Sequence, residues 1–443
     1  MKGSGTTILR STACSIVKRL QVAGFSAFWV GGCVRDFLLG RDPGDYDIVT
    51  SALPEEIEGL FNHTIPVGRK FGVIVVVQEG HQFQVATFRA EADYQDGRHP
   101  EQVRFGDARA DALRRDFTVN GLFYDPVGET LHDWVGGQAD LRARTLRTIG
   151  SPEERFAEDH LRLLRAVRFA AQLDFRVEPA TFAALRANAP KILGISAERI
   201  RDELIKLFSP PHAALGLDLL WESGLLEQVL PEIAAMPSCE QSPDFHPEGN
   251  VFNHVRLMLR QMPPDADPSL PWAVLLHDVA KPLTASRDPA GGSIHFYGHE
   301  RLGAEMAEVI LERLRFPRKQ IDAIVKAVRC HMQFKDALEM RKSTLRRLLM
   351  RPTFPLELEL HRLDCAGSHG RLEVYDFLRR QAKELEQQPH IRPPLLNGGD
   401  LIALGMKPGR AMGALLAELR EKQLQDELKT RAQAKQWARK RIG

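Results

Sequence analysis

Five cysteines in 443 residues (Cys14, Cys33, Cys239, Cys330 and Cys365) are too scattered for a disulfide framework, and no CxxC pair suggests a zinc ribbon. A reducing, cytoplasmic setting is expected. No uninterrupted apolar run approaches the roughly 20 residues needed to span a bilayer. The N-terminus also lacks a basic segment followed by an apolar one, so no membrane partner is expected. Charge of one sign is missing as well: the net charge is +2, which argues neither for nor against a nucleic-acid partner. The exception is local. Lys429, Arg431, Lys435, Arg439, Lys440 and Arg441 close the chain without an acid among them; they can meet phosphates or simply end a solvated helix. No internal repeat or low-complexity segment is present.

What the chain does have is length and ordinary composition. At 443 residues, with 43% hydrophobic and 27% charged residues, it implies a protein of two to four domains. Residues 8 to 23 read as an amphipathic helix. Four β-rich runs follow: Ala27 to Val30, Tyr46 to Val49, Gly72 to Gln78 and Gln82 to Phe88. After Pro152 helical periodicity takes over, as in Leu161 to Ala171, Ile200 to Phe208 and Ala214 to Leu220. Irregular Pro-containing stretches from Pro231 to Pro247 and from Gln387 to Gly399 mark two further breaks. The expected divisions are a head (1–150), a neck (151–235), a histidine-rich domain (236–386) and a tail (387–443).

In the run Phe28 to Asp36, two glycines, Gly31 and Gly32, follow a strand and open a helix. Backbone amides at such a turn can approach a triphosphate closely, although a Gly-Gly turn of this kind is often only structural. Asp45 and Asp47 come next, in an apolar context that places both carboxylates on one face of a strand. Such a pair can hold two Mg²⁺ ions. One activates an attacking hydroxyl and the other stabilises a pyrophosphate leaving group.

The segments GGCVRDFLLGRDPGDYDIVT, RRDFTVNGLFYD (Arg114 to Asp125) and EDHLRLLRAVRFA (Glu158 to Ala170) together resemble the bacterial class II tRNA nucleotidyltransferase and poly(A) polymerase family. The resemblance covers essentially the whole chain. It implies template-independent addition of C or A to the 3′ end of tRNA, with ATP and CTP as substrates and Mg²⁺ as cofactor. Asp45 and Asp47 would then bind the catalytic metals, and Gly31, Gly32, Arg35 and Asp36 would organise the triphosphate. Arg115, Asp116 and Asn120 match the segment that orders the ribose and the incoming nucleotide. Gln84 is a departure, standing where family members commonly carry a glutamate; two aspartates are expected to suffice. The charged stretch Arg89 to Pro100 resembles a loop that helps switch specificity from C to A.

Glu158, Asp159 and Arg162 read as the start of a helix, with Asp159 and Arg162 on one face. A carboxylate accepts from an exocyclic amine and a guanidinium donates to a ring nitrogen or carbonyl, so the pair can imitate a Watson–Crick edge. At this spacing it can equally be a surface ion pair. Arg165 and Arg168 continue the face, to bind phosphate or to pair with acids. In Ser196 to Leu204, Glu198 and Arg199 are expected to brace this helix.

A second constellation lies further on. His254, the pair His277 and Asp278, and Asp364 reproduce the H, HD, D order of the HD phosphohydrolase superfamily, with His299 and His331 between. These six groups suit Mn, Ni, Co, Fe or Mg. The resemblance implies phosphodiesterase or phosphatase activity, with Lys281 available to a phosphate; a purely structural metal is the alternative. In the tail, Gly399 to Glu418 contains a Gly-Met-Lys-Pro-Gly turn between helices, which can grip phosphate through Lys407 or cap the neighbouring domain.

The expected fold is therefore α+β: a nucleotidyltransferase head of mixed sheet and helices, an all-α neck, an all-α HD domain and a helical tail. Two other functions stay open. Gly68, Arg69, Lys70 and Phe71 would fit a poly(A) polymerase, and Gln84 would fit an HD phosphohydrolase whose head has become an RNA-binding module. Nothing in the sequence sets an oligomeric state.

Overall fold

The computed structural model describes residues 3–90, 104–243, 246–287, 294–387, 391 and 393–442. Residues 91–100 of the charged Arg89 to Pro100 stretch lie outside these. The chain forms two compact units, one of residues 1–208 and 215–231, the other of residues 209–214 and 232–443. No helix among the described residues is long and apolar enough to cross a membrane.

The first unit opens with the helix Gly3–Val22, which buries Ala13, Ile16, Val17 and Leu20. A seven-stranded mixed sheet follows, made of β1 (Ala27–Val30), β2 (Asp47–Thr50), β3 (Thr64–Ile65), β4 (Val73–Gln78), β5 (His81–Thr87), β6 (Phe123–Asp125) and β7 (Thr130–His132). Its order is β3-β4-β5-β2-β1-β6-β7, with β2 and β5 parallel and the other neighbours antiparallel. β-branched Ile48, Val49 and Thr50 are all buried, which places β2 in the interior of the sheet. Val30, Val49, Phe88, Ala112 and Phe123 form a core cluster beneath it.

One expectation is corrected here. Asp47 opens β2, but Asp45 lies two residues before it in the preceding loop, so the two acids do not share a strand face. The alternation rule applies only to extended, paired backbone, and the pairing with β1 stops at Val30 opposite Asp47.

Beyond the sheet, Ser151 caps the helix Pro152–Glu158, with Pro152 in its first turn. The helix Leu161–Leu173 then buries Leu163, Leu164, Val167 and Ala170 along one side and ends at Asp174 in the left-handed conformation. The helix Ala197–Leu207 packs against it.

The second unit is almost entirely helical. The helices Val251–Arg260, Leu270–Leu276, His299–Arg313, Arg318–Cys330 and Phe354–Gly367 surround the histidines. The tail consists of the helices Gly398–Ala403, Arg410–Leu424 and Arg431–Ile442. It makes a small core of its own from Leu401, Met412, Leu415, Leu419, Ala434 and Ala438. Asp426 and Glu421 fasten it to Arg346 and Arg347 of the helix Lys342–Leu349.

Candidate active sites

β1 is followed by Gly31, whose φ of 73° and ψ of −130° suit only glycine. A Cβ there would also come within 3.2 Å of Arg115 Nη1. Gly32 starts the helix Gly32–Leu38, which carries Arg35 and Asp36. Arg35 reaches two ways: Nε donates to Asp36 Oδ1 at 2.9 Å, and Nη1 donates to Asn120 Oδ1 at 2.7 Å. Asn120 Nδ2 in turn donates to Asp116 Oδ1 at 3.2 Å. Asp116 Oδ2 accepts from Arg165 Nε at 2.9 Å and Nη2 at 2.6 Å. Arg168 Nε donates to Glu203 Oε2 at 2.5 Å, and Arg165 Nη1 lies 4.0 Å from the same glutamate. Three motifs, 85 and 49 residues apart along the chain at their hydrogen bonds, thus form one polar chain.

Burial would raise the Asp116 pKa, but Arg165 and the hydrogen bonds hold it below the usual carboxylate range. Asp111 is similar. Burial works to raise its pKa, while Arg115 and Arg114, both paired with it, prevail. Asp47 goes the other way. Desolvation of its carboxylate by the neighbouring protein and repulsion from Asp45 raise its pKa, and Arg115 offsets this only in part. Two acids whose repulsion exceeds the relief from one guanidinium fit a site for divalent cations with oxygen donors. Ile48 faces Val85 across the parallel pair, so one residue earlier Gln84 stands beside Asp47. That is the place a third carboxylate would occupy.

The expectation for Glu158, Asp159 and Arg162 is corrected. Glu158 ends one helix, Asp159 adopts an extended conformation, and the next helix begins at Leu161. Asp159 Oδ1 accepts from Leu161 N at 3.0 Å, closing a short side-chain turn just ahead of that helix, whose first position is preceded by His160. Its Oδ2 accepts from Arg199 Nη2 at 2.9 Å. Arg162 pairs with Glu158 and donates to the carbonyls of Arg155 and Arg114. Arg162 N donates to Asp159 O at 3.0 Å, but the two side chains do not pair; each is oriented by another residue, and both keep hydrogen-bonding capacity to spare. Arg199 braces as expected, but its companion is buried Glu203, while Glu198 faces solvent.

In the second unit all six expected ligands converge. His277, His299 and His331 each direct Nδ1 at a backbone carbonyl, of Val274 at 2.9 Å, Phe296 at 2.7 Å and Val328 at 2.6 Å. A carbonyl can only accept, so each Nδ1 carries a proton, and in the neutral ring the Nε2 lone pair is left facing the cluster. The Nε2 atoms of His299 and His331 face each other at 3.2 Å. Asp278 lies between the groups, its Oδ2 3.1 Å from His277 Nε2 and its Oδ1 3.4 Å from His299 Nε2. His254 Nε2 is 3.1 Å from Asp364 Oδ1. His277 Nε2 and Asp278 Oδ2 are buried without an aligned hydrogen bond, although Lys281 Nζ is 2.7 Å from Asp278. Lone pairs aimed at one another, with orphaned buried donor atoms, fit a divalent ion held by nitrogen and oxygen.

The pKa shifts run in opposite directions around the cluster. Burial pushes His331 down to about 4, leaving it neutral. Burial opposes the charge on His254, yet Asp364 and Glu248 raise it to about 9. Asp278 is held well below its ordinary value by His277 and Lys281 against the effect of burial. Glu248 was not expected: its Oε1 accepts from His254 Nδ1 at 2.7 Å and lies 2.9 Å from His246 Nδ1. Gln241 was also missed; its Oε1 accepts from Lys281 Nζ at 2.6 Å.

The family descriptions agree with the two sites. The Poly A polymerase head domain matches residues 27–147, the probable RNA and SrmB-binding site of polymerase A matches 174–236, and the HD domain matches 250–364. The CCA-adding enzyme of Geobacillus stearothermophilus is 47% identical over 214 residues, 48% of this chain and 53% of that protein. That of Streptococcus pyogenes serotype M2 is 39% identical over 273 residues, 60% of this chain and 63% of the relative. This chain thus spans between about half and two thirds of the curated relatives it matches. The crystal structure of the Bacillus stearothermophilus CCA-adding enzyme in complex with CTP aligns at a TM-score of 0.73 and 29% identity, covering 97% of this chain and 96% of that one.

Proposed function

We propose that this chain, whose residues 27–147 match the Poly A polymerase head domain, adds C, A or both to the 3′ end of tRNA without a nucleic-acid template. The observation that carries the reading is the joining of Arg35, Asn120, Asp116, Arg165, Glu203 and Arg168 into one polar chain in the unit that also carries Asp45 and Asp47. The relatives bearing the CCA-adding name do not favour the poly(A) polymerase or decayed-head alternatives. Expected divisions remain a head at 1–150, a neck at 151–235, an HD domain at 236–386 and a basic tail contacting tRNA at 387–443, working in the cytoplasm.

Asp45 and Asp47 would hold magnesium, which when bound lowers the pKa of the attacking 3′ hydroxyl and neutralises departing pyrophosphate. Gly31 leaves room beside the strand end for phosphate to approach the backbone. Arg35 fixes Asn120 for contact with the ribose, and Asp116 orients Arg165 along the same wall. Asp159, held by Arg199, accepts from the exocyclic amine that C and A share, and Arg162, held by Glu158, donates to the base. Pre-orientation by these partners reduces the ordering cost of reading a base.

Incubation of the full chain with tRNA ending at the discriminator base, at C or at CC, with labelled CTP or ATP and Mg²⁺, tests this reading. CCA on the shortest substrate marks a complete repair activity, and one A on the CC end alone marks an A-adding enzyme. No incorporation on any of the three refutes it.

A second activity is favoured by the three histidines with paired Nδ1 and free Nε2: metal-dependent hydrolysis of phosphate esters at the HD site. Hydrolysis of bis(4-nitrophenyl) phosphate with Mn²⁺, Ni²⁺ or Co²⁺, lost in Asp278→Ala, tests it.

A further inference from the structure

A cleft of about 890 Å³ opens beside the HD histidines, and its lining includes a wall that metal binding does not require. Tyr297 stands there with 78% of its surface exposed. A single exposed aromatic is ordinary. This one is backed: its ring lies nearly parallel to that of His295, with centroids 5.3 Å apart and planes at 19°. One face is supported and the other is left open.

The platform is also fixed to the metal cluster. His295 is paired with Ser286 in a short hairpin. Gly298, with φ of 76°, turns the chain after Tyr297, so that His299 opens the next helix. His299 Nδ1 donates to Phe296 O at 2.7 Å, and Lys281 Nζ sits 5.2 Å from the Phe296 ring. The segment that carries Tyr297 is therefore held by two residues of the metal site itself. Lys335 and Arg371 line the same cleft, both exposed and neither paired with a carboxylate among the described residues.

From this juxtaposition, and resting on the HD hydrolase reading above, we propose that the cleft selects nucleotides over small phosphate esters. The nucleobase stacks on the open face of Tyr297, the adjoining phosphate lies toward His299, His331 and Asp278, and Lys335 and Arg371 receive further phosphate. A π-face is common to every base, so the platform demands a base without choosing among them. A free mononucleotide and the 3′-terminal nucleotide of an RNA present the same chemistry.

The test is calorimetric binding of adenosine 3′-monophosphate, ribose 5-phosphate and a short oligoribonucleotide with a 3′-phosphate to the metal-loaded full chain, as wild type, Tyr297→Ala and Tyr297→Phe. Stacking predicts that the wild type prefers nucleotide over ribose phosphate. Tyr297→Ala should weaken nucleotide binding roughly 5- to 150-fold, leave ribose phosphate unchanged, and be rescued by Tyr297→Phe. Tighter binding of the oligonucleotide than of the mononucleotide would identify an RNA end as the source; the reverse would identify free nucleotide. Equal wild-type binding of nucleotide and ribose phosphate, or nucleotide binding indifferent to Tyr297→Ala, overturns the proposal. Binding with this pattern but no hydrolysis of bis(4-nitrophenyl) phosphate would overturn the hydrolase reading while leaving base selection intact.

Discussion

Asp116→Asn is the most informative single change in the head. The wild-type carboxylate has both oxygens engaged: Oδ2 with Arg165 at 2.6 and 2.9 Å, Oδ1 with Phe117 N at 2.8 Å and Asn120 Nδ2 at 3.2 Å. An amide keeps an acceptor for Phe117, but it loses the charge and turns an NH₂ group toward the guanidinium if the oxygen stays in place. Removing one partner of a buried ion pair costs about 3–5 kcal/mol. Arg165 retains 33% side-chain exposure, so water takes over part of its solvation and a loss of about 2 kcal/mol is expected. For a unit of this size that corresponds to a Tm lower by roughly 4–8 °C in the transition of the first unit.

The pH dependence has a definite sign. The Asp116 pKa is depressed in the fold, so its stabilisation is complete above the ordinary carboxylate value and fades as pH falls below it. The difference between wild type and variant in urea unfolding should therefore stay flat from pH 5 to 8 and shrink below about pH 4. Transfer activity should fall as well, because Asn120 and Arg165 lose a shared anchor. A variant as stable as wild type at pH 7, or a difference that grows on acidification, would refute this account of the pair.

Three other changes are expected to act separately. Asp47→Asn should lower nucleotide transfer at least about a hundredfold, abolish the Mg²⁺-dependent rise in Tm attributable to the head, and leave the metal-free protein no less stable, since Asp45 then has no like charge beside it; scanning calorimetry with and without Mg²⁺ checks this. Gly31→Ala forces a side chain onto a glycine-only backbone within 3.2 Å of Arg115 Nη1; it should cost about 1–3 kcal/mol, read by chemical denaturation, and reduce triphosphate binding. Glu248→Ala removes the acceptor that orients His254 and should weaken metal retention at the HD site about 10- to 100-fold, measured by metal content after dialysis against a graded chelator.

Sequence and structure agree best where the signal is local. A strand ending in Gly-Gly and a DxD next to Ile48 and Val49 announce themselves within twenty residues, and the H, HD, D order predicts the convergence of His254 with Asp364 across 110 positions. The failures have physical causes. The helix break at Asp159 contains neither glycine nor proline. It is sustained by the Asp159 bonds to Leu161 N and to Arg199, the second of which lies 40 residues away. Glu203 and Asp111 look like ordinary helical acids; only burial against arginines reveals them. Glu248 lies six residues before His254 at no helical spacing, because it precedes the helix that carries the histidine.

The two metal-type sites differ in the chemistry of their donors, and the difference matches the reaction proposed for each. Asp45 and Asp47 are open to solvent and offer oxygen only. Hard, hydrated cations bind such sites through few protein ligands and complete their coordination with substrate phosphate, which suits the proposed transfer, in which a nucleoside triphosphate gives its nucleotidyl group to the RNA end and pyrophosphate leaves. At the HD cluster, His254, His277, His299, His331 and Asp278 are all buried, and three of the imidazoles have their tautomer fixed by a backbone carbonyl before any ion arrives. Little reorganisation is then required on binding, and nitrogen donors favour transition metals. In the head, the substrate itself completes the site. In the HD domain the site is assembled beforehand, and selectivity has to come from what stands around it, which is where Tyr297, Lys335 and Arg371 lie.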